Sequence, residues 1–308
     1  MAREGGDNVR EVRWERMFPD ELEQAFAAHP LLYFTYGLCE PHGPHNTLGL
    51  DALNSHGLAC AAARGDGGIV APPDYWHIHG YGPFAAWGRR MVGETDRAWI
   101  TAVPPRVFFR QVLYHLRTAD LLGFHAAIFL IGHLGPHASD FARLIDLVQP
   151  HVGTRLWCPR PAMPYVLPES GTRVPVDHGG QLETSVLWAL EPDCVDASRL
   201  PPPGTPLPQF GMSASAQQAN RLLGENIVAA SARVLSSKGR ELLATYASLQ
   251  PRHTLRTYAD VEALWETVVR PRLKEFACMQ EPSGEPPPPD SVWHEHWKLP
   301  VDAILAEP

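Results

Sequence analysis

The sequence predicts an α/β fold with a mostly parallel central sheet. Short apolar runs of strand length alternate with longer segments of helical periodicity, and Gly- and Pro-containing loops lie between them. This alternation is typical of βαβ units, in which helices connect parallel strands. The chain has 308 residues, 44% of them hydrophobic, and is therefore long enough to bury the core of a large α/β domain.

The first half of the chain contains the clearest elements. Residues 31–39 (LLYFTYGLC) are rich in aromatic and β-branched side chains and are closed by Pro41 and Gly43, so they predict a buried strand. The elements that follow are a helix over 47–63, a strand within 67–73, a helix over 107–122, a strand over 126–132 and a helix over 138–148.

The second half has more loops. Residues 161–173 and 200–209 are Pro-rich and predict irregular chain, whereas an apolar, helix-like segment begins near Glu183. Residues 213–243 carry Ala and Leu on one helical stripe and predict a helix that closes the main domain.

Residues 250–308 are predicted to be a C-terminal extension. Residues 258–276 look helical with a break at Pro271, and residues 281–290 (EPSGEPPPPD) predict extended or disordered chain. The predicted organisation is a lead-in over 1–20, a domain over 21–249 and this helical and extended C-terminal extension.

Two tryptophans mark the end of the extension. Trp293 and Trp297 predict docking of the tail onto the body of the protein or onto a neighbouring subunit. His294 and His296 flank an acid and offer a metal site as the less favoured interpretation.

Acidic and imidazole side chains follow the first predicted strand. Glu40 and His42 are two residues apart, so on an extended backbone they point the same way. Asp51 opens the next helix, where free N–H groups and the helix dipole favour an anion even without a metal. A carboxylate and a neutral imidazole aimed at one point suit Zn, Mn or Fe, while a capped loop of charged residues is the alternative.

Two further clusters repeat this arrangement. His133 follows a predicted strand, at the end where open α/β sheets place their ligands. Residues 177–185 (DHGGQLETS) gather acids, an imidazole and hydroxyls at the start of a helix-like segment. One such cluster is explained by a polar loop, but three of them, each beside a regular element, favour a metal site.

These motifs resemble those of the creatininase (creatinine amidohydrolase) family of metal-dependent hydrolases. The family motif Glu-x-His-Gly-Pro-His-Leu-Pro-Leu-Gly-x-Asp is matched from Glu40 to Asp51, and His-Ala-Gly-x-x-Glu-Thr-Ser is matched from His178 to Ser185. The family motif Asn-Gly-His-Gly-Gly-Asn lies between these two along the chain and is matched only in part, around His133. In chain order it is the second motif, and the motif from His178 to Ser185 is the third. The resemblance spans about residues 21–243 and implies a three-layer creatininase-like fold.

The resemblance also implies a dinuclear centre with two divalent metal ions (Zn, Mn or Fe). Asp51 would bridge the ions. Glu40 and His133 would hold one of them, and His42 and Glu183 would hold the other.

Catalysis would involve residues of the third motif. By the resemblance, His178 would transfer protons and Glu183 would act with the metals. Asp177 would either orient the His178 imidazole or contact substrate.

Departures from the family pattern concern the substrate pocket. Ile131 stands where the family has Asn, and residues 72–80 correspond loosely to a substrate-side segment that is usually small. Trp76 and Ile131 are therefore candidates for the pocket wall. His77 and His79 are candidates for contacts with the substrate or the metal ligands, with solvated loop positions as the favoured interpretation of the two histidines.

Composition excludes several classes of function. A formal net charge of -8 without a basic run argues against nucleic acid as a partner. Five scattered Cys without Cys-x-x-Cys pairs argue against a disulfide framework and a thiolate metal site. There is no apolar run of the ~20 residues that span a membrane and no signal-peptide core, so we expect a cytoplasmic protein without a membrane partner.

The function expected from these observations is that of a metal-dependent amidohydrolase. Its substrate would be a small molecule with a non-peptide C–N bond, such as a cyclic amide or formamide, in specialised metabolism. The alternatives are a peptidase-like member that cleaves a short modified peptide and a non-catalytic member that binds metal or a small molecule. The resemblance further implies a homo-oligomer, commonly a hexamer.

Overall fold

Four parallel strands form the central sheet in the part of the chain that the structure describes. The computed structural model describes residues 10–79, 89–90, 94, 96–97, 99–160, 165–166, 177–206, 211–279 and 285–294. The strands β1 (Leu31–Tyr36), β2 (Ile69–Val70), β3 (Ala126–Ile131) and β4 (Arg155–Trp157) pair in the order β2-β1-β3-β4. All three pairings are parallel, which confirms the predicted sheet.

The described residues contain seven α-helices. They are α1 (Pro19–Ala28), α2 (Leu50–Asp66), α3 (Pro105–Leu122), α4 (Pro136–Val148), α5 (Gln181–Leu190), α6 (Arg221–Leu249) and α7 (Tyr258–Leu264). None of the helices in this part of the chain has the length and apolar character needed to cross a membrane.

Two helix boundaries differ from the predicted ones for local reasons. The helix predicted over 213–243 begins at Arg221, because the Asn220 side chain accepts a 2.9 Å hydrogen bond from the Leu223 N–H and caps it. The helix predicted over 258–276 ends as α7 and continues as a π-turn and a 3₁₀-turn that contains Pro271.

Side chains of the strands alternate between two hydrophobic clusters on opposite faces of the sheet. Leu32 and Phe34 pack with residues of α3, α4 and α7. Leu31 and Tyr33 pack with residues of α2, α5 and α6. The architecture is therefore three-layered, as the sequence predicts.

The segment after α6 is built into the first of these clusters. Nine of its buried apolar side chains contribute, including Leu255, Val261 and Phe276. Farther on, Trp293 is fully buried, and Ser291 Oγ donates a 3.2 Å hydrogen bond to Glu94. Trp297 and His296, like most of the predicted loop 161–173, lie outside the described residues.

Candidate metal centre

Five side chains that the family pattern marks as metal ligands meet at the carboxyl ends of β1 and β3. Glu40 and His42 lie in the loop after β1, and His133 follows β3. Asp51 lies in the first turn of α2, and Glu183 in the first turn of α5. Each of the five is no more than 4% exposed.

Close backbone packing places Asp51 over the sheet. A Cβ at Gly132, at the end of β3, would overlap the Asp51 carbonyl oxygen, and a Cβ at Gly37 would overlap the backbone of Ala52. The first turn of α2 therefore lies directly against the ends of β1 and β3. This approach explains why the partly matched second motif keeps its glycine.

One group of ligand atoms gathers around Glu40. Its Oε1 lies 2.8 Å from His133 Nδ1, and its Oε2 lies 2.7 Å from His79 Nε2. The ligand atoms of these three residues lie within 4.8 Å of one another.

A second group gathers around His42. Its Nε2 lies 3.0 Å from Asp51 Oδ1 and 3.7 Å from Glu183 Oε2. The other Asp51 oxygen, Oδ2, lies 3.1 Å from His133 Nδ1. The Asp51 carboxylate thus stands between the two groups, with one oxygen toward each.

Hydrogen bonds orient these groups as ligands require. His42 Nδ1 donates to the Glu40 carbonyl oxygen at 3.1 Å, which leaves the Nε2 lone pair directed at Asp51 and Glu183. Glu183 Oε2 accepts a 2.8 Å hydrogen bond from the Gly179 N–H.

The buried carboxylates of the cluster favour the binding of cations. Burial raises the pKa of Glu183 well above its ordinary value, and neighbouring Asp51 adds to the rise. Burial also acts on Glu40, but His133 and His79 outweigh it and hold the Glu40 pKa well below its ordinary value. Three carboxylates among imidazoles, removed from water, form a donor set that fits divalent transition metals.

His178 faces the same cluster. Its ring stacks on that of His42 with centroids 4.3 Å apart, and its Nε2 donates to the Pro41 carbonyl at 3.0 Å. Its Nδ1 lies 4.0 Å from Glu40 Oε1. Burial lowers the pKa of His178 to about 4, so the imidazole is neutral near pH 7 and presents the Nδ1 lone pair to the site.

Asp177 caps α5. Its carboxylate accepts hydrogen bonds from the Leu182 N–H at 3.1 Å and the Glu183 N–H at 3.3 Å, and Ser215 Oγ donates to it at 2.9 Å. These contacts fix the helix start that carries Glu183. Orientation of the His178 imidazole or contact with a substrate stays a prediction for Asp177.

The four predicted pocket residues have different surroundings. Trp76 is 52% exposed. His77 is buried against Phe108, with ring centroids 4.1 Å apart. Ile131 is buried in the hydrophobic cluster of α3 and α4. Only His79 belongs to a group of potential metal ligands.

His45 joins the first and third motifs, a role that was not predicted from the sequence. His45 Nε2 lies 3.0 Å from Thr184 Oγ1, beside Glu183. Gly43 makes room for this ring, because it has a φ of +81° and a Cβ there would lie 2.6 Å from the His45 ring. The motifs themselves could have indicated this contact, because His45 lies in the first motif and Thr184 in the third.

Comparison with known proteins agrees with this geometry. The sequence model of the creatininase family, described as creatinine amidohydrolase, matches residues 15–249. The chain therefore belongs to the creatininase family, and it is an enzyme of the metal-dependent amidohydrolase class. No curated protein matches the chain.

Solved creatininase structures share the fold. A form described as creatininase Mn is 23% identical, with a TM-score of 0.55 over 75% of this chain and 98% of its own. A glutamate-to-glutamine mutant described as Zn-Zn type is 22% identical, with a TM-score of 0.56 and the same coverage. A creatinine amidohydrolase structure is 23% identical, with a TM-score of 0.55 over 76% of this chain and 98% of its own.

Proposed function

We propose that the protein is a dinuclear metal amidohydrolase that cleaves a non-peptide C–N bond, such as that of a cyclic amide or formamide. The position of Asp51 supports this proposal most strongly. Its two oxygens lie 3.0 Å from His42 Nε2 and 3.1 Å from His133 Nδ1, so one carboxylate serves both ligand groups.

Glu40 and His133 would hold one ion, His42 and Glu183 the other, and Asp51 both. Bound divalent cations supply Lewis-acid polarisation of a carbonyl and lower the pKa of water toward about 7. Zn²⁺, Mn²⁺ and Fe²⁺ suit this mixture of imidazole and carboxylate donors. The Zn-Zn and Mn descriptions of the similar structures support the first two of these metals.

His178 would carry the proton. Because its Nε2–H is held by the Pro41 carbonyl, Nδ1 is the atom that accepts a proton on the site side. The same atom can then deliver that proton to the departing nitrogen, which needs one to leave as an amine. Burial of the cluster strengthens the electrostatic interactions within it.

We also propose that the protein forms a homo-oligomer. The family resemblance, which implies a homo-oligomer and commonly a hexamer, supports this proposal.

The test of the function is a substrate screen with metal-replaced protein. The chain is stripped with a chelator, reloaded with Zn²⁺ or Mn²⁺, and incubated with lactams, formamides and short modified peptides. Asp51→Ala serves as the metal-free comparison. We expect hydrolysis of a lactam or formamide that needs metal and Asp51. Cleavage of peptides alone would favour the peptidase-like alternative, and tight metal binding without any turnover would contradict catalysis.

A further inference from the structure

His79 lies among the proposed metal ligands. Its side chain is 3% exposed, and its Nε2 is 2.7 Å from Glu40 Oε2. The ring centroids of His79 and His133 are 5.0 Å apart, with an angle of 35° between the planes. Two imidazoles therefore approach the Glu40 carboxylate, one at each oxygen.

The three donor atoms lie close enough together to converge on one ion once they move apart by a few tenths of an ångström. Two donors, each about 2.0–2.2 Å from a Zn²⁺ ion, lie roughly 3–3.5 Å apart in tetrahedral or octahedral arrangements. In the Glu40 group, nitrogen and oxygen atoms lie 2.7 and 2.8 Å apart, and all three ligand atoms lie within 4.8 Å.

We propose that His79 is a further ligand of the ion held by Glu40 and His133. This assignment rests on the proposed dinuclear centre and adds a residue to it. The first ion would then have two imidazoles and the carboxylates of Glu40 and Asp51. The second would have one imidazole, from His42, and the carboxylates of Asp51 and Glu183.

The two positions would consequently differ in metal preference. Imidazole nitrogen suits Zn²⁺, whereas carboxylate oxygen suits Mn²⁺ and Mg²⁺ better. Zinc should therefore occupy the Glu40 position first, and the His42 position should accept Mn²⁺ more readily.

A hydrogen bond from His79 to Glu40 is the other explanation of the 2.7 Å distance, and two substitutions separate the two explanations. His79→Gln keeps an N–H donor of similar reach for Glu40 but removes the imidazole, whereas His79→Ala removes both. His77→Gln is the matched control, since His77 is a buried imidazole two residues away that lies outside the described ligand groups.

Zinc affinity is measured by chelator competition, zinc content by elemental analysis, and the number of imidazoles per zinc by X-ray absorption. We expect both His79 variants to fall from two zinc ions per chain to one. The affinity of the affected position should drop by more than the ~10–100-fold that loss of an outer hydrogen-bond partner costs. The imidazole signal should fall in His79→Gln.

The assignment is overturned if His79→Gln keeps two zinc ions at unchanged affinity, or if His77→Gln loses zinc to the same extent. Unchanged circular dichroism shows that each variant is folded. If the unsubstituted protein binds no zinc, the dinuclear centre itself is wrong, which is a distinct outcome from loss of the His79 contribution alone.

Discussion

Asp120 in α3 accepts a 2.9 Å hydrogen bond from His253 Nδ1 and thereby fastens the C-terminal segment to the main body. Asp120 is fully buried, and His253 Nε2 lies 2.8 Å from the Tyr246 hydroxyl of α6. The same carboxylate also accepts hydrogen bonds from the backbone N–H groups of Gly153, Thr154, Thr254 and Leu255. One buried acid thus joins α3, the turn before β4 and the chain after α6.

The first prediction is that Asp120→Ala strongly destabilises the protein. The substitution leaves several buried N–H groups without their acceptor, and each buried donor left unsatisfied costs about 1–3 kcal/mol. Urea unfolding followed by circular dichroism measures the loss. Asp193→Ala, at an exposed position, is the control and should change the free energy of unfolding by no more than about 0.5 kcal/mol. If the two substitutions lower the free energy of unfolding equally, Asp120 does not have this structural role.

The second prediction concerns pH. Burial acts to raise the pKa of Asp120, but the N–H groups of Leu255 and Thr154 and the His253 ring outweigh it and lower the pKa. A carboxyl group with a lowered pKa in the folded state stabilises the protein above its unfolded pKa of about 3.9. That stabilisation is lost as the pH falls through the folded pKa.

We therefore expect the stability difference between the native protein and Asp120→Asn to shrink as the pH falls below about 4. Urea midpoints of both proteins over a series of pH values measure this difference. Because both proteins share the remaining acids, their comparison isolates Asp120. If the stability difference instead grows as the pH falls, the pKa of Asp120 is not lowered in the folded protein.

Much of the fold could be predicted because its signals are local. β1, β3 and the helices α2 to α4 carry their periodicity within their own residues. β4 was missed because Arg155–Trp157 is three residues long and forms a strand only through its pairing with β3. No local pattern specifies such a short strand.

The site was predictable to the extent that its residues lie in motifs. His79 could not be placed beside Glu40 from sequence, since its loop depends on distant backbone bridges, Tyr36 with Asp74 and His77 with Ala102. Ile131, in contrast, could have been placed in the core, because in a strand it shares a face with Phe129.

The third prediction is that Gly132→Ala disrupts the centre although residue 132 bears no ligand. The added Cβ would overlap the Asp51 carbonyl oxygen and push the first turn of α2 away from β3. We expect loss of bound metal and a destabilisation of about 1–3 kcal/mol, typical of overpacking. Gly65→Ala in α2 is the control, since its Cβ meets nothing within 4 Å and should stabilise the helix slightly. Full metal content in Gly132→Ala would show that this close approach is not required.

The fourth prediction is that a chain ending at Gln250 does not fold stably. It lacks the nine buried apolar side chains after α6 that belong to the first hydrophobic cluster, each worth roughly 1.5–3 kcal/mol. Their sum, about 14–27 kcal/mol, is comparable to or greater than the net stability of about 5–15 kcal/mol of a typical domain. A chain ending at Met279 keeps these side chains and should unfold cooperatively. Cooperative unfolding of the shorter chain would show that the extension is dispensable.

The last prediction is that His178→Asn keeps its metal ions while the rate falls by a factor on the order of 10² to 10⁴, the usual range for loss of a general acid or base. Metal binding by His178 is the alternative to proton transfer, because its ligand atom also lies within 4.8 Å of those of Glu40 and His42. What favours proton transfer is the neutral ring, which is held through Nε2 by Pro41 and presents Nδ1 to the site. Elemental analysis and hydrolysis rates of the same preparation distinguish metal binding from proton transfer. His151→Asn, at an exposed position, is the control. If metal content falls together with the rate, His178 is a ligand, and the departing nitrogen must obtain its proton from another group.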